Sequence, residues 1–455
     1  MGVGLAAAGA VGALPIRCAA LAGAVVPAGL LLFLRPSWLV LGIPLLVPVT
    51  YVAPLLLAGF RMGLVELALL AGLAAWLARS AARRSLEVRP GLLGLLLLAW
   101  LWVSGLSLLG STSLRAGLAE WMKWAGVFVV YLLAVSLLES RHFRSLVYSI
   151  TGAAVACALL GLFQFWRGQG PAGFLLFGRF LRAYGTFGQP NPYAAHLGLS
   201  LPFAVGWALV ANEESRLERL ALLGAAALVG LGIIGSWSRG AWVATAAACV
   251  VMAALAAPRP ALAGAILVLA LSPLWFDGVA SGALVQRMVG MGTQIETLNV
   301  AAVEPNDENW AVVERLAHWQ AGWYMFASRP WLGVGLGQYE VVYPMYALPR
   351  WPEALGHAHN YYLNLLAETG MLGLGTFLVL GAAVAMKARC AWLRATGPQT
   401  RGVLVGVAGS LTYLAAHSMV DNLFVHGMQA LFGLVLAAVT LAERGEAKDR
   451  CLEGV

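Results

Sequence analysis

The sequence predicts an all-α, polytopic membrane protein: a helix bundle of about twelve transmembrane helices, in a range of twelve to fourteen, with one large loop on one side. Three observations predict it. Of the 455 residues, 60% are apolar and only 11% charged, against about a quarter charged in an average soluble protein, so a water-soluble fold could not cover its own surface. Apolar runs of about 17 or more residues recur along nearly the whole length, each long enough to cross a bilayer while closing its own backbone hydrogen bonds. Lys and Arg gather in the short stretches between those runs.

Residues 2–78 are apolar, with Arg17, Arg35, Arg61 and Glu66 as the only charges, and Pro15, Pro27, Pro36, Pro44, Pro48 and Pro54 blur the boundaries. This region holds two to four spans, and two are expected. The first basic residue is Arg17, so the basic start of a cleavable signal peptide is missing and the N-terminus is expected to be retained. From residue 91 onward ten spans read clearly, at 91–109, 118–138, 145–166, 192–211, 219–236, 240–257, 261–276, 360–386, 402–420 and 425–442. The chain therefore divides into N-terminal transmembrane helices (1–276), a loop region with short amphipathic helices (277–359), C-terminal transmembrane helices (360–442) and a tail (443–455).

The formal net charge of +8 invites a nucleic-acid reading, but no basic stripe with interleaved aromatics supports one. The charge reports topology instead. If loops alternate sides, one set carries 16 Lys and Arg in 58 residues and the other 9 in about 120, so the first set and the tail are cytoplasmic. Segment 277–359 then lies outside, which in a bacterium means the periplasm or the cell exterior. Five cysteines at 18, 157, 249, 390 and 451, never as a CxxC pair, predict neither a structural disulfide nor a thiolate metal site.

The outer segment is acidic overall yet rich in Trp, Tyr, Gly and Pro, and residues 310–327 read as an amphipathic helix able to lie at headgroup level. Its aromatics argue against a disordered linker. The run Gly333-Val334-Gly335-Leu336-Gly337 lacks the βαβ context of a dinucleotide loop and is expected to serve tight turns. No fixed-period repeat is present, and the two halves show no matched pair of interrupted helices of the kind inverted-repeat transporters use.

Polar groups near or inside spans are costly and mark candidate sites. Most gather on the outer side: Arg179, Arg182, Gln189 and Asn191; Arg239 in Ser236-Trp237-Ser238-Arg239-Gly240; Arg315 and His318; His357, His359 and Asn360 at the re-entry into the membrane; and Asp421 with His426. Guanidinium groups bind diphosphate with forked hydrogen bonds, and a histidine can take the proton from an attacking hydroxyl. That set suits transfer from a lipid diphosphate, with arginines stabilising the departing group. Each has a plainer account: His359 as a helix cap, Arg239 as a snorkelling arginine, Arg315 as the partner of Glu314 or Glu308, Arg179 and Arg182 as headgroup binders, Asp421 as a helix N-cap. His357 and His359 form a His-x-His pair, but a three-ligand metal site needs another donor and no acid-rich motif adjoins them, so no metal and no other cofactor is expected.

The stretch His359-Asn360, nine residues, then Gly370-Met371-Leu372-Gly373 resembles the signature of the O-antigen ligase and polymerase superfamily. Arg315, Trp319, Pro330 and Gly333 through Gly337 fit that family's outer-loop pattern, and Ser238-Arg239-Gly240-Ala241 and Gly185 through Asn191 match two earlier motifs. The resemblance covers roughly residues 145–440. It implies metal-independent, inverting glycosyl transfer from an undecaprenyl-diphosphate-linked glycan on the outer face of the bacterial inner membrane. Carried over, His359 is general base or orients the acceptor, Arg239 and Arg315 bind the diphosphate with Arg182 a third, and Asn360 fixes the histidine or a sugar hydroxyl. Gln189, Asn191, His357 and Asp421 complete the expected substrate-binding set. The expected acceptor is a lipid A-core sugar hydroxyl; a polymerase would use another lipid-linked repeat unit, and a protein glycosylase a Ser or Thr. A transporter or flippase would instead place ionisable groups along a path between both faces.

Overall fold

A computed structural model describes residues 35–50, 52, 54–57, 60–86, 88, 90–176, 178–211, 215–256, 300 and 310–453. Over these residues the chain is almost wholly helical, and eight helices are long and apolar enough to cross a membrane. The helices are α1 (Pro36–Leu46), α2 (Leu64–Ala82), α3 (Gly91–Ser107), α4 (Leu114–Leu137), α5 (Phe143–Arg167), α6 (Pro190–Gly206), α7 (Arg216–Gly235), α8 (Arg239–Ala256), α9 (Trp310–Ser328), α10 (Tyr339–Val342), α11 (Tyr361–Arg394), α12 (Pro398–His417) and α13 (Gln429–Glu453). The span expected at 261–276 lies outside the described residues, as do most of residues 277–309.

Two full spans are expected before residue 79, and residues 1–34 lie outside the described residues. Only α2 has the length among the described residues there. Helix α1 passes into a 3-10 turn at Val47–Val49, and 14 residues at about 1.5 Å each fall short of the roughly 30 Å hydrocarbon core. Pro44 and Pro48 withhold two amide donors in that stretch. Beyond it the chain makes a small hairpin, Leu55–Leu57 (β1) against Phe60–Met62 (β2), that sequence periodicity did not announce.

Helix α6 is the axis of the bundle, buried on nearly every face, with Pro190 at its first turn where a missing N–H costs nothing. It packs against α12 and α7, and α12 in turn against α8. The α6–α12 contact is backbone-close. A Cβ on Gly206 would stand 2.5 Å from the Gly402 carbonyl oxygen, and one on Gly406 would stand 2.9 Å from Phe203 Cα. Gly402-x-x-x-Gly406 is thus the small-residue spacing that lets membrane helices approach until their backbones touch.

Within the same core, a cluster of aromatic rings sits between α3, α4, α11 and α13. Trp124 meets Trp100 at 5.1 Å and Phe424 at 5.0 Å, and Phe424 stacks on Tyr361 at 4.6 Å. Offset and edge-on contacts of this kind add about 0.5–1.5 kcal/mol per pair beyond burial. Tyr361 follows Asn360 directly, and Phe424 lies three residues past Asp421, so one aromatic cluster anchors both loops.

Helix α11 is not the unbroken span expected from residue 360. Gly370 has φ 64 and ψ −165, which splits it after Thr369. A break leaves donors and acceptors that lipid cannot satisfy, and the glycine-rich loop supplies the partners. Val334 N donates to Ala367 O (3.0 Å) and Gly335 N to Glu368 O (2.9 Å), while Met371 N and Leu372 N donate to Pro330 O and Trp331 O at 2.8 and 3.2 Å. A Cβ on Gly370 would lie 2.3 Å from the Trp331 carbonyl carbon, and one on Gly333 equally close to that of Glu368. The glycines of the two motifs therefore exist for one another. The same loop docks on the α3–α4 turn, where the buried Gln338 amide accepts from Ser113 N at 2.7 Å and donates to Ser113 O at 2.8 Å.

Candidate functional site

Four turns and two helices converge at the end of the bundle where α6, α8 and α11 begin. The turn Ser236–Ser238 is held by Ser236 Oγ, which donates to Ile233 O and accepts from Ser238 N. The loop ahead of α6 is held by Gln164 of α5: its Nε2 donates to Gly185 O at 2.9 Å and its Oε1 accepts from Gly185 N at 2.8 Å. Ala183 N donates to Gly235 O at 2.8 Å, joining the two turns. The histidine turn is shaped by Asn364, whose Oδ1 accepts from Ala358 N, and is tied to α12 where Tyr361 N donates to Ser418 O at 2.8 Å.

A polar chain crosses between these turns. Arg182 donates from Nε to Ser236 O (2.9 Å) and from Nη2 to Asn191 Oδ1 (3.0 Å); Asn191 Nδ2 donates to Asp421 Oδ2 (2.8 Å). Asp421 Oδ1 accepts from Asn422 N (2.9 Å) and faces both histidines, with His357 Nε2 at 3.6 Å and His359 Nδ1 at 3.8 Å. At that distance the coupling of Asp421 with His359 is electrostatic rather than a formed hydrogen bond. Burial works to raise the Asp421 carboxyl, but His359, His357 and His417 around it outweigh burial and hold it below the ordinary carboxylate range.

The two arginines of the expected catalytic set stand beside this chain. The charge of Arg315 acts on Arg239 and on His357, so both guanidiniums share a region with the histidines. Two like charges kept together in a partly buried cleft favour an anion between them. His357 keeps a fifth of its side chain exposed, yet burial pushes it down to about 4, with Asp421 opposing and His359, Arg315 and Lys123 reinforcing. His318, on α9, is likewise pushed to about 4 by burial, then by His359 and His357. It stacks on Tyr343 at 4.6 Å and meets the edge of His359 at 5.6 Å.

Backbone strain concentrates here as well. Among the described residues four non-glycines have left-handed φ, and three of them, Trp237 (55), His359 (51) and His426 (54), lie on these turns. Each such residue costs of order 1–3 kcal/mol and persists where its surroundings over-determine it. For His359 the surroundings are the backbone bond to His357 Nδ1, the His318 edge and the Tyr361 anchor.

Of the nine residues expected to form the site, Arg182, Asn191, Asp421, His357 and His359 form this chain, and Arg239 and Arg315 neighbour it. Two lie outside this chain of contacts. Asn360 caps α11, its Oδ1 accepting from Leu363 N at 3.1 Å, and so orders the helix start rather than the histidine ring. Gln189 is exposed at the N-cap of α6, outside the chain. Asp421 is no helix cap: α13 starts eight residues later. Arg179 lies over the Phe180 ring at 5.3 Å. Sequence reasoning overlooked Gln164, Asn364 and Lys123. Lys123 pairs with Glu120 and its charge reaches His357 and His426. Their signal was available, since each is a polar residue inside an apolar run.

The fold also supplies the third metal donor that the sequence lacked: ligand atoms of His357, His359 and Asp421 lie within 4.8 Å of one another. The hydrogen bonding does not suit a metal. His357 Nδ1 accepts from His359 N at 3.1 Å, so the neutral ring carries its proton on Nε2, the atom that faces Asp421. A metal ligand needs that lone pair and donates from its other nitrogen. His357 is instead a donor aimed at the carboxylate.

Compared with known families, residues 224–378 match the family model described as O-antigen ligase. The matched stretch takes in Arg239, Arg315, His357, His359, Asn360 and Gly370 through Gly373. Arg182, Gln189, Asn191 and Asp421 fall outside it. No curated protein matches the chain.

Proposed function

We propose, from the premise that residues 224–378 are an O-antigen ligase region, that the chain is a membrane glycosyltransferase. It moves a glycan from undecaprenyl diphosphate to a lipid A-core hydroxyl, without metal and with inversion, at the periplasmic face of the inner membrane. The observation that carries the reading is the placement of one ionised carboxylate, Asp421, against His359 Nδ1, with Arg239 and Arg315 adjacent.

Asp421 favours the tautomer of His359 with its proton on Nδ1, which leaves Nε2 as a base. The acceptor hydroxyl gives its proton to that nitrogen as its oxygen bonds to the anomeric carbon from the face opposite the diphosphate. The anomeric C–O bond breaks, and the electron pair leaves with the diphosphate. Arg239 and Arg315 meet the charge that develops there, the contribution that is commonly the largest in such reactions. Arg182 acts through Asn191 to keep Asp421 in place.

The test is in vitro transfer with purified wild type and His359→Ala, an undecaprenyl-diphosphate glycan, chelator, and a lipid A-core acceptor or none. The expected result is product only with lipid A-core, unaffected by chelator and lost in the variant. Longer lipid-linked chains without added acceptor would make the protein a polymerase. No covalent product from competent substrates would overturn the transferase reading in favour of transport.

A further inference from the structure

The transfer steps leave one charged pair beside the site unused: Glu120 and Lys123, ion-paired one turn apart on α4. Helix α4 starts at Leu114, so the pair sits about 9–14 Å along it. It lies inside a stretch apolar enough to span a membrane, where charges are costly and mark function. Two contacts fix its surroundings. A Cβ on Gly337 would stand 3.0 Å from Glu120 Cβ, so the glycine-rich loop borders the carboxylate. Trp124, on the same helix face as Glu120 and Lys123, packs on Phe424 at 5.0 Å, and Phe424 stacks on Tyr361 at 4.6 Å. Lys123 thereby stands beside both the histidine turn and the Asp421 turn, and its charge acts on His357 and His426. The side chains of Glu120 and Lys123 stay 22% and 28% exposed.

Arg239 reaches the histidine turn from a different side. A Cβ on Gly240 would lie 2.9 Å from His417 Cδ2, so α8 begins against α12, whereas α4 packs on α13 and α3. The histidine turn runs between the two, tied to α12 through Ser418 O and to α4 through the Phe424 ring. Inversion requires the acceptor oxygen and the departing diphosphate on opposite faces of the anomeric carbon. With Arg239 on the α12 side for the diphosphate, the α4 side is left for the acceptor. A carboxylate paired with an ammonium has no net charge and suits a neutral ligand better than an anion. The carboxylate accepts from a hydroxyl and the ammonium donates to one, which fits two neighbouring hydroxyls of a sugar ring.

We propose that Glu120 and Lys123 bind the acceptor sugar through two neighbouring hydroxyls and so present its reactive hydroxyl to His359. The proposal rests on the transferase reading and gives the acceptor a subsite of its own. A Ser or Thr acceptor offers a single hydroxyl and would not use the pair.

The experiment measures transfer by the full chain while lipid A-core and the undecaprenyl-diphosphate glycan are titrated in turn, the other being saturating. Lys123→Met should raise the acceptor KM roughly ten-fold, with donor KM and kcat within about two-fold of wild type, the split that lost ground-state binding gives. Glu120→Gln, whose amide oxygen still accepts, should raise the acceptor KM less, and Lys123→Arg should restore most of the affinity. Arg141→Gln, exposed past the other end of α4, should change neither KM. A rise in donor KM, or no change in either KM, overturns the proposal. If wild type forms no product, the transferase reading fails instead, and thermophoresis of the labelled protein with core oligosaccharide freed of lipid A decides the site. Binding by wild type roughly ten-fold tighter than by Lys123→Met upholds the pair as a sugar site, and equal binding overturns it.

Discussion

Asn191 and Asp421, 230 positions apart in the chain, meet through a 2.8 Å hydrogen bond. The bond joins the first turn of α6 to the turn before α13, and through Arg182 it extends to the turn before α8. Asp421→Asn keeps the shape and an acceptor for Asn191 but removes the charge that selects the His359 tautomer. We expect turnover to fall roughly a hundred- to ten-thousand-fold, with thermal stability close to wild type. Turnover within three-fold of wild type in the transfer assay would remove Asp421 from the mechanism.

His357 and His318 set a pH dependence of stability. The unfolded chain takes up protons at these rings from about 6.5 downward, whereas the folded protein resists until about 4. Both folded values lie below the unfolded one, so this stability is complete above pH 6.5 and is lost as the pH falls toward 4. The unfolding midpoint should drop across that window. His318→Phe retains a ring on Tyr343 and removes one proton uptake, so the drop should shrink; an unchanged slope would exclude His318 as a contributor.

Gly370→Ala should be severely destabilising, by about 3 kcal/mol or more, because it combines a left-handed φ with a Cβ 2.3 Å from the Trp331 carbonyl carbon. Gly375, with nothing within 4 Å of its would-be Cβ, is the matched control. Gly375→Ala should be neutral or slightly stabilising in a thermal melt of the detergent-solubilised protein. Similar melts for the two variants would count against the plugged break.

Gln338→Ala deletes two hydrogen bonds to Ser113 and leaves its N–H unpaired, while its carbonyl keeps the bond from Gly117 N. The expected cost is about 2–4 kcal/mol. Hydrogen exchange should quicken first in residues 330–340, where the loop is held by that amide, and only later in α4.

His196 is fully buried in α6, and neither ring nitrogen has a hydrogen-bond partner. An unsatisfied polar group costs roughly 1–3 kcal/mol. His196→Leu should therefore raise the melting temperature or leave it unchanged, with transfer activity retained. A marked fall in activity at full stability would mean that the ring has a partner during the reaction.

Helix identity was legible because apolar runs announce themselves one by one, whereas relations between runs do not. The histidine motif, Arg239 and Arg315 stood out as polar groups at span ends. That Asp421 would meet Asn191, or that Gly333 and Gly370 would fill one break, depends on contacts across 37 to 230 positions, which no local pattern encodes. Asn360 reads two ways for a related reason, since an N-cap and a ligand contact need the same side chain. At α1 the prolines signalled irregularity but not its form, because whether a short helix stays in the bundle is decided by packing against α5 and α2.

The break in α11 also bears on how the protein is made. Residues 330–335 leave the ribosome before Gly370 does, so the strip of backbone that closes the break is already synthesised when the broken helix arrives. Until the two dock, the helix has open amides and carbonyls at its middle, and a translocation channel that handed it to lipid early would strand them. Biogenesis of this bundle therefore has a required order, with the loop in place before the broken helix meets lipid, and deletions in that loop should show as insertion failures of a helix they never touch in sequence.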